Sequence, residues 1–134
     1  MVNKIEHIGI AVKNIDDANV LFEKLLGVPS YKTETVETES VVTSFFQTGT
    51  NKIELLMATD SKSPIAKFLE KKGEGIHHIA FDVDDIEAEV ARLKKEGFVL
   101  INEHPKPGAD NKMVVFLHPK SANGVLIELC QEIR

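Results

Sequence analysis

The chain has 134 residues, of which 43% are hydrophobic and 28% are charged, an ordinary balance for one globular domain. Its formal net charge of −5 argues against broad binding of nucleic acid, which needs a basic patch. No apolar run reaches the roughly 20 residues that span a bilayer, so we expect no membrane partner either. The single cysteine, Cys130, rules out an internal disulfide and favours a reducing compartment, which predicts a cytoplasmic protein.

The chain begins with a predicted strand and helix. Ile8, Ile10 and Val12 alternate with small residues, the period-two pattern of a strand. The segment NIDDANVLFEKLLG then predicts a helix, because Asn14 can cap its start and Gly27 can end it. The acidic stretch YKTETVETES predicts a strand and a loop, and the runs VVTSFFQTG and KIELLMA predict two more strands.

The same pattern then starts again. Ser63 followed by Pro64 predicts the start of a linker helix at about 63–72. After it, IHHIAFDV predicts a strand, DDIEAEVARLKKEG a helix, and FVLINE, KMVVFLHP and GVLIELCQE three strands. The sequence therefore predicts one domain, 1–134, built from two βαβββ modules at about 1–58 and 74–134.

Four polar residues occupy matching positions in the two modules. His7 and His78 each open a strand on a face where small residues follow, since alternate side chains of a strand share a face. Glu54 in KIELL and Glu128 in LIELC each lie inside an apolar strand. A carboxylate in such a strand is costly unless it is paired.

These four residues point to a shared cation. Two neutral imidazoles and two carboxylates would neutralise a divalent metal, and this nitrogen–oxygen mixture suits Zn, Co, Ni, Mn or Fe(II). Taken singly, each residue is more often satisfied by hydrogen bonds or by exposure. Their repeat symmetry favours the metal site.

The paired βαβββ units with histidine and glutamate ligands resemble the vicinal oxygen chelate superfamily. Within it, HIGIAVKNID, KIELL, DSKSPIAKFLEKKGEGIHHIAFDVDDI and FLHPKSANGVLIEL are similar to motifs of the methylmalonyl-CoA epimerase family. The resemblance implies an α+β, glyoxalase-like fold in which the two modules form a cupped mixed β-sheet. It also implies a homodimer and metal ligands at His7, Glu54, His78 and Glu128. Cobalt is the metal that we expect, with zinc, manganese and nickel as alternatives.

The activity that the resemblance implies is a metal-dependent interconversion of (2R)- and (2S)-methylmalonyl-CoA. A proton would leave C2 to give a metal-stabilised enolate, and a proton would return on the opposite face. Glu128 is the expected catalytic acid/base. Some family members carry a glutamate where this chain has Thr43, so the second acid/base stays open among Glu54, Glu37, Glu39 and a water on the metal.

Three alternatives share the fold. A glyoxalase I-type lyase acting on a glutathione hemithioacetal would use the same four ligands, but its family typically has one histidine where this chain has His77 and His78. An extradiol dioxygenase leaves Glu54 without a role, and non-catalytic small-molecule-binding proteins of this fold typically lose the ligands. His118 and Lys120 in HPKS are expected either to contact CoA or to shape an exposed turn.

Overall fold

A computed structural model describes residues 1–133 and contains eight β-strands and three α-helices in that range. The elements are β1 Val2–Ala11, α1 Ile15–Leu26, β2 Lys32–Val36, β3 Val41–Thr48, β4 Asn51–Ala58, α2 Pro64–Lys72, β5 Gly75–Val83, α3 Ile86–Lys95, β6 Lys106–Gly108, β7 Lys112–Leu117 and β8 Ile127–Glu132. Single 3-10 turns occupy Glu37–Glu39 and Pro119–Ser121. No helix among these is long and apolar enough to cross a membrane.

The backbone contacts divide the chain into two compact units. The first unit is His7–His77, and the second unit combines Met1–Glu6 with the described residues from His78 onward. The modules predicted at 1–58 and 74–134 differ from these units at their ends, and their bounds stay a prediction. Arg134, the last residue of the predicted second module, lies outside the described residues.

The first unit is a four-stranded mixed sheet with a helix on each face. Its strand order is β2-β3-β4-β1, with β1 parallel to β4 and the other pairs antiparallel. Helix α1 packs through Ile15 against Phe46 and Leu55 on one face. Helix α2 packs through Ile65 against Leu56 and its neighbours, which lie on the other face by alternation.

The second unit repeats this strand arrangement. Strands β5 and β8 are parallel, and β8-β7-β6 continue as antiparallel pairs. Helix α3 packs through Val90 and Leu93 against Val115, Leu117 and Leu129. Burying an aliphatic side chain of this size stabilises a fold by about 1.5–3 kcal/mol.

Local signals in the sequence fix the helix ends as predicted. The Asn14 side chain accepts a hydrogen bond of 3.0 Å from the Asp17 backbone N–H, and the chain leaves α1 at Gly27 with φ of 75°. A left-handed residue at this position favours glycine. The Ser63 hydroxyl accepts the Ile65 N–H at the start of α2.

The strand predicted at FVLINE is wrong. Residues 98–103 form only one isolated bridge, Leu100 to Leu117, and the first strand after α3 is instead the short β6, which lies between FVLINE and KMVVFLHP in the sequence. Asn102 explains the difference. Its side-chain oxygen accepts the Phe116 N–H at 2.8 Å, so a side chain occupies a position where a continuous ladder would need a backbone carbonyl.

A buried carboxylate joins the N-terminus to α3 in the second unit. Glu89 is 6% exposed and accepts hydrogen bonds from the Met1 ammonium at 2.9 Å and from Arg92 at 2.9 Å. The hydrogen bond from the ammonium, followed by that from Arg92, holds the pKa of Glu89 below its usual value. The same hydrogen bond raises the pKa of the Met1 ammonium.

Replacing Glu89 by glutamine is expected to lower the melting temperature by roughly 3–8 °C near pH 6, because the ammonium loses its charged partner. The Glu89 contribution is present above the ordinary carboxyl pKa of 4.5 and is lost as the pH falls through the lower folded value. The contribution of the ammonium is present below 8.0 and is lost as the pH rises through its raised value. Thermal unfolding measured from pH 3 to pH 10 tests both the loss of stability at low pH and the loss at high pH.

The matched control is Glu87→Gln, which removes the same charge from an exposed position on α3. It should change the melting temperature by about 1–2 °C at most. Equal effects of the two substitutions would show that the ion pairs of the Glu89 carboxylate add nothing specific to stability.

Candidate functional site

The first unit contains a buried histidine–glutamate pair on neighbouring parallel strands. Gly9 of β1 lies opposite Glu54 of β4, which places His7, two residues earlier on the same face, beside that carboxylate. His7 Nδ1 lies 3.0 Å from Glu54 Oε2. Both residues are 4% exposed.

The second unit contains the corresponding pair in the same register. Ala80 of β5 lies opposite Glu128 of β8, and His78 lies two residues before Ala80. His78 Nε2 lies 3.0 Å from Glu128 Oε1, and both residues are buried. The edge of the Phe116 ring contacts the His78 ring, with centroids 5.8 Å apart, so packing also fixes the imidazole.

The structure therefore joins each predicted histidine to the glutamate of its own unit. The pairing differs in one atom: Nδ1 faces the carboxylate in the first unit and Nε2 in the second. Sequence does not encode this choice, because it depends on the rotamer of each ring. Imidazole nitrogens and carboxylate oxygens are ligand atoms for divalent transition metals, so each pair has the chemistry of half a metal site.

The surroundings of the two pairs follow from strand alternation. In the first unit the large apolar residues Ile10, Ile53 and Leu55 face α1, as predicted, while Gly9 follows His7 on the other face. In the second unit Ala80 packs with Val114, Cys130 and Phe116 around the position of Glu128. Small residues after each histidine keep this face of the strand free of bulky side chains.

Two other histidines have structural contacts. The His77 ring meets the Phe68 ring of α2 edge-on, with centroids 5.0 Å apart, which is a packing contact. His118 Nδ1 accepts the Lys120 N–H at 3.1 Å and so caps the Pro119–Ser121 turn. This contact favours the turn-shaping role of His118. Lys120 and Ser121 line a surface groove with the residues that follow α3, Glu96, Gly97 and Phe98.

Cys130 is placed as an inert thiol. It is fully buried, and its sulfur lies 3.5 Å from the Phe81 carbonyl oxygen. Burial, with the nearby Glu128 carboxylate as the next cause, raises the pKa of the thiol far above its ordinary value. A thiol in these surroundings is not a nucleophile.

The candidates for a second acid/base separate in the structure. Thr43 is 1% exposed on β3, whereas Glu37 and Glu39 lie in the 3-10 turn between β2 and β3. Glu34, which was not among the residues considered from sequence, is paired directly with Thr43 by the β2–β3 register. The alternation of KTETV carried that signal, since it places Lys32 and Glu34 on one face.

Comparison with known families defines the class of the protein. Residues 6–116 match the family model described as the Glyoxalase/Bleomycin resistance protein/Dioxygenase superfamily. The match covers most of the chain and confirms the fold class expected from the motifs.

Individual relatives narrow the class. An ethylmalonyl-CoA/methylmalonyl-CoA epimerase from Cereibacter sphaeroides is 41% identical, over 98% of this chain and 99% of that protein. The crystal structure of methylmalonyl-CoA epimerase from Mycobacterium tuberculosis superposes with a TM-score of 0.94 at 34% identity, covering 99% of this chain and 90% of that one. A methylmalonyl-CoA epimerase in complex with methylmalonyl-CoA and NH4+ gives a TM-score of 0.92 at 32% identity, covering 98% and 96%. The chain belongs to the methylmalonyl-CoA epimerase family of this superfamily.

Proposed function

We propose that the protein is an epimerase that interconverts (2R)- and (2S)-methylmalonyl-CoA. The observation that carries the proposal is the pair of buried histidine–glutamate contacts, each 3.0 Å long and set in the same strand register. Family membership supplies the substrate class, since relatives similar over the whole chain are epimerases of this thioester.

The substrate needs an enzyme of this kind and no redox cofactor. Its C2 lies between a thioester carbonyl and a carboxylate, so loss of the C2 proton gives an enolate whose charge spreads onto the thioester oxygen. Return of a proton to the opposite face inverts the centre. The protein must therefore hold the acyl group, stabilise the developing negative charge and place acid/base groups on both faces of C2.

Glu128 is the proposed acid/base for one face. It is 7% exposed, and its contact with His78 fixes the position of the carboxylate. A carboxylate held in a fixed position can take a proton from a carbon within hydrogen-bond reach and return it. Glu128 would thus accept the C2 proton from one epimer and return it in the reverse reaction.

We also propose that His7, Glu54, His78 and Glu128 together hold one divalent metal ion, with cobalt as the first candidate and zinc, manganese or nickel as alternatives. The donor set fits such an ion, because two imidazoles and two carboxylates offer four suitable ligand atoms and a neutralising charge. All four residues are buried, where two carboxylates need a positive partner. When bound, the metal acts as a Lewis acid toward the thioester oxygen.

A homodimer is the proposed assembly, and α1 is the proposed contact surface. Its outward side carries Leu21 and Leu25, which are 59% and 67% exposed, with Val20 beside them. The corresponding helix of the second unit, α3, exposes charged residues such as Lys94 and Lys95 instead. Exposed apolar side chains concentrated on one helix are typical of a protein interface.

Leu25→Glu is expected to convert the dimer into the 14.9 kDa monomer, because it introduces a charge into the apolar contact. Sedimentation velocity at micromolar concentration measures the mass directly. Ala91→Glu, at an exposed position on α3, is the control and should leave the dimer intact. A measured mass of 14.9 kDa for the unchanged protein would contradict the proposed homodimer.

We propose that the protein acts in the cytoplasm. The single, fully buried thiol of Cys130 needs no oxidising compartment for folding. Fractionation of cells that express the chain tests this assignment, and recovery from an exported fraction would contradict it.

The proposed activity predicts that methylmalonyl-CoA loses its C2 proton signal in deuterium oxide. Proton NMR measures this loss over time. The metal-loaded protein should exchange this proton well above the spontaneous rate. Dialysis against a chelator should abolish the exchange, and cobalt should restore it. A coupled assay specific for the 2R epimer then distinguishes inversion from simple exchange.

Absence of exchange with cobalt, zinc, manganese and nickel would contradict the epimerase proposal. Exchange that survives complete metal removal would agree with the proposed substrate but would contradict the proposed metal dependence. A matched hemithioacetal of glutathione serves as the control substrate and should not react.

A further inference from the structure

Inversion at C2 requires an acid/base group on each face of the carbon, and Glu128 serves only one. We propose that Glu34 is the second catalytic acid/base. This inference rests on the epimerase function proposed above.

The register of β2 places Glu34 on the face of the sheet that carries Glu54. Successive residues of this strand alternate between half-buried and exposed, with Lys32 and Glu34 half-buried. Glu34 lies opposite Thr43, Lys32 lies opposite Phe45, and Phe45 in turn lies opposite Glu54. Directly paired residues project to the same side of a sheet. Glu34 therefore shares the face that carries Glu54.

The position of Glu34 along the ladder is close to that of Glu54. The two residues are two strands and two ladder positions apart, which corresponds to roughly 12 Å between their Cα atoms. Between them Thr43 and Phe45 are almost completely buried, whereas the Glu34 side chain is 35% exposed. Glu34 is thus the carboxylate at the rim of this face, where an acyl group arriving from solvent meets it first.

A neighbouring cation orients the carboxylate. Lys32 Nζ lies 3.6 Å from Glu34 Oε1 and 4.7 Å from the centroid of the Phe45 ring. The cation–π contact holds the ammonium against the sheet. The ion pair then directs the carboxylate along the same face. Its partial exposure lets it exchange protons with water between turnovers.

The other glutamates near β2 are less suitable. Val36 and Val41 form the last pair of the β2–β3 ladder, and Glu37 and Glu39 lie beyond it in the turn. Val41 lies opposite Ala58, four ladder positions from the pairing of Phe45 with Glu54, which is roughly 13 Å along the strand. The turn therefore carries its carboxylates away from the face at Glu54.

The proton steps balance with two carboxylates. In one direction the Glu34 carboxylate removes the C2 proton, the C–H electron pair passes into the enolate, and Glu128, the acid/base proposed for the other face, delivers a proton there. In the reverse direction the two glutamates exchange roles. Each returns to its starting state by exchange with water, so no co-reactant is consumed.

Glu34→Gln, which removes the base but keeps the shape, is expected to lower the rate of inversion at least about 100-fold. Exchange of the C2 proton in deuterium oxide should persist for one pure epimer, with retention of configuration, because Glu128 still serves that face. Exchange of the other epimer should be lost. Glu34→Asp should retain part of the inversion rate. Glu37→Gln, with the same charge change in the adjacent turn, should invert as the unchanged protein does.

Inversion by Glu34→Gln within threefold of the unchanged protein would overturn the proposal. Loss of exchange for both epimers in a variant with an unchanged melting temperature would also overturn it, because Glu34 would then serve more than one face. If the unchanged protein exchanged neither epimer, the epimerase function itself would fail, and that result is distinct from both.

Discussion

The cost of burying a carboxylate inside a β-sheet is the constraint on which the rest of the structure depends. Glu54 and Glu128 lie on interior strands, and each is removed from water. A charge in that position is tolerated only with a partner and good geometry. In both units the partner is an imidazole 3.0 Å away, on the neighbouring parallel strand. The parallel pairing is therefore as important for the site as the residues themselves.

This constraint explains the arrangement around each pair. A parallel pair needs a crossover connection, and the segments from β1 to β4 and from β5 to β8 each contain a helix and two antiparallel strands. Helices α1 and α3 cover the apolar faces of their sheets. The opposite face carries the histidine and the glutamate, and a small residue, Gly9 or Ala80, follows each histidine on that face. Folding the same βαβββ unit twice thus produces two equal sets of ligand atoms.

The two units nevertheless differ in two places: at the edge-strand position of Glu34 and on the exposed surface of the helix that follows the first strand. In the position that Glu34 occupies opposite β3, the second unit has Lys106 opposite Val114 of β7. Helix α1 exposes the apolar residues Val20, Leu21 and Leu25, whereas the exposed residues of α3 are alanines and charged residues. The acid/base group proposed on one edge strand and the contact surface proposed on one helix are compatible with a duplicated core, because neither position contributes to the buried pairs.

Sequence predicted those parts of the fold that follow from short-range rules. Alternation placed His7 and His78 on the correct face, and the caps at Asn14 and Ser63 located two helices. The strand predicted from sequence at FVLINE is wrong, because the side chain of Asn102 replaces a backbone hydrogen-bond partner there. Its partner, Phe116, lies on a strand further along the chain. Sequence also missed Glu34, since a glutamate in an acidic, threonine-rich segment has the composition of a solvated surface. The role proposed for Glu34 depends on a cross-strand register that only the fold determines.

We propose that His7, Glu54, His78 and Glu128 bind one metal ion per chain, and metal stoichiometry tests this proposal most directly. The chain should be loaded with cobalt and desalted, and its metal content measured by mass spectrometry together with the visible absorption of Co(II). The account predicts one ion per chain, lost both in His7→Ala and in His78→Ala, although these histidines belong to different units. Two ions per chain, or full retention of the ion in either variant, would contradict it.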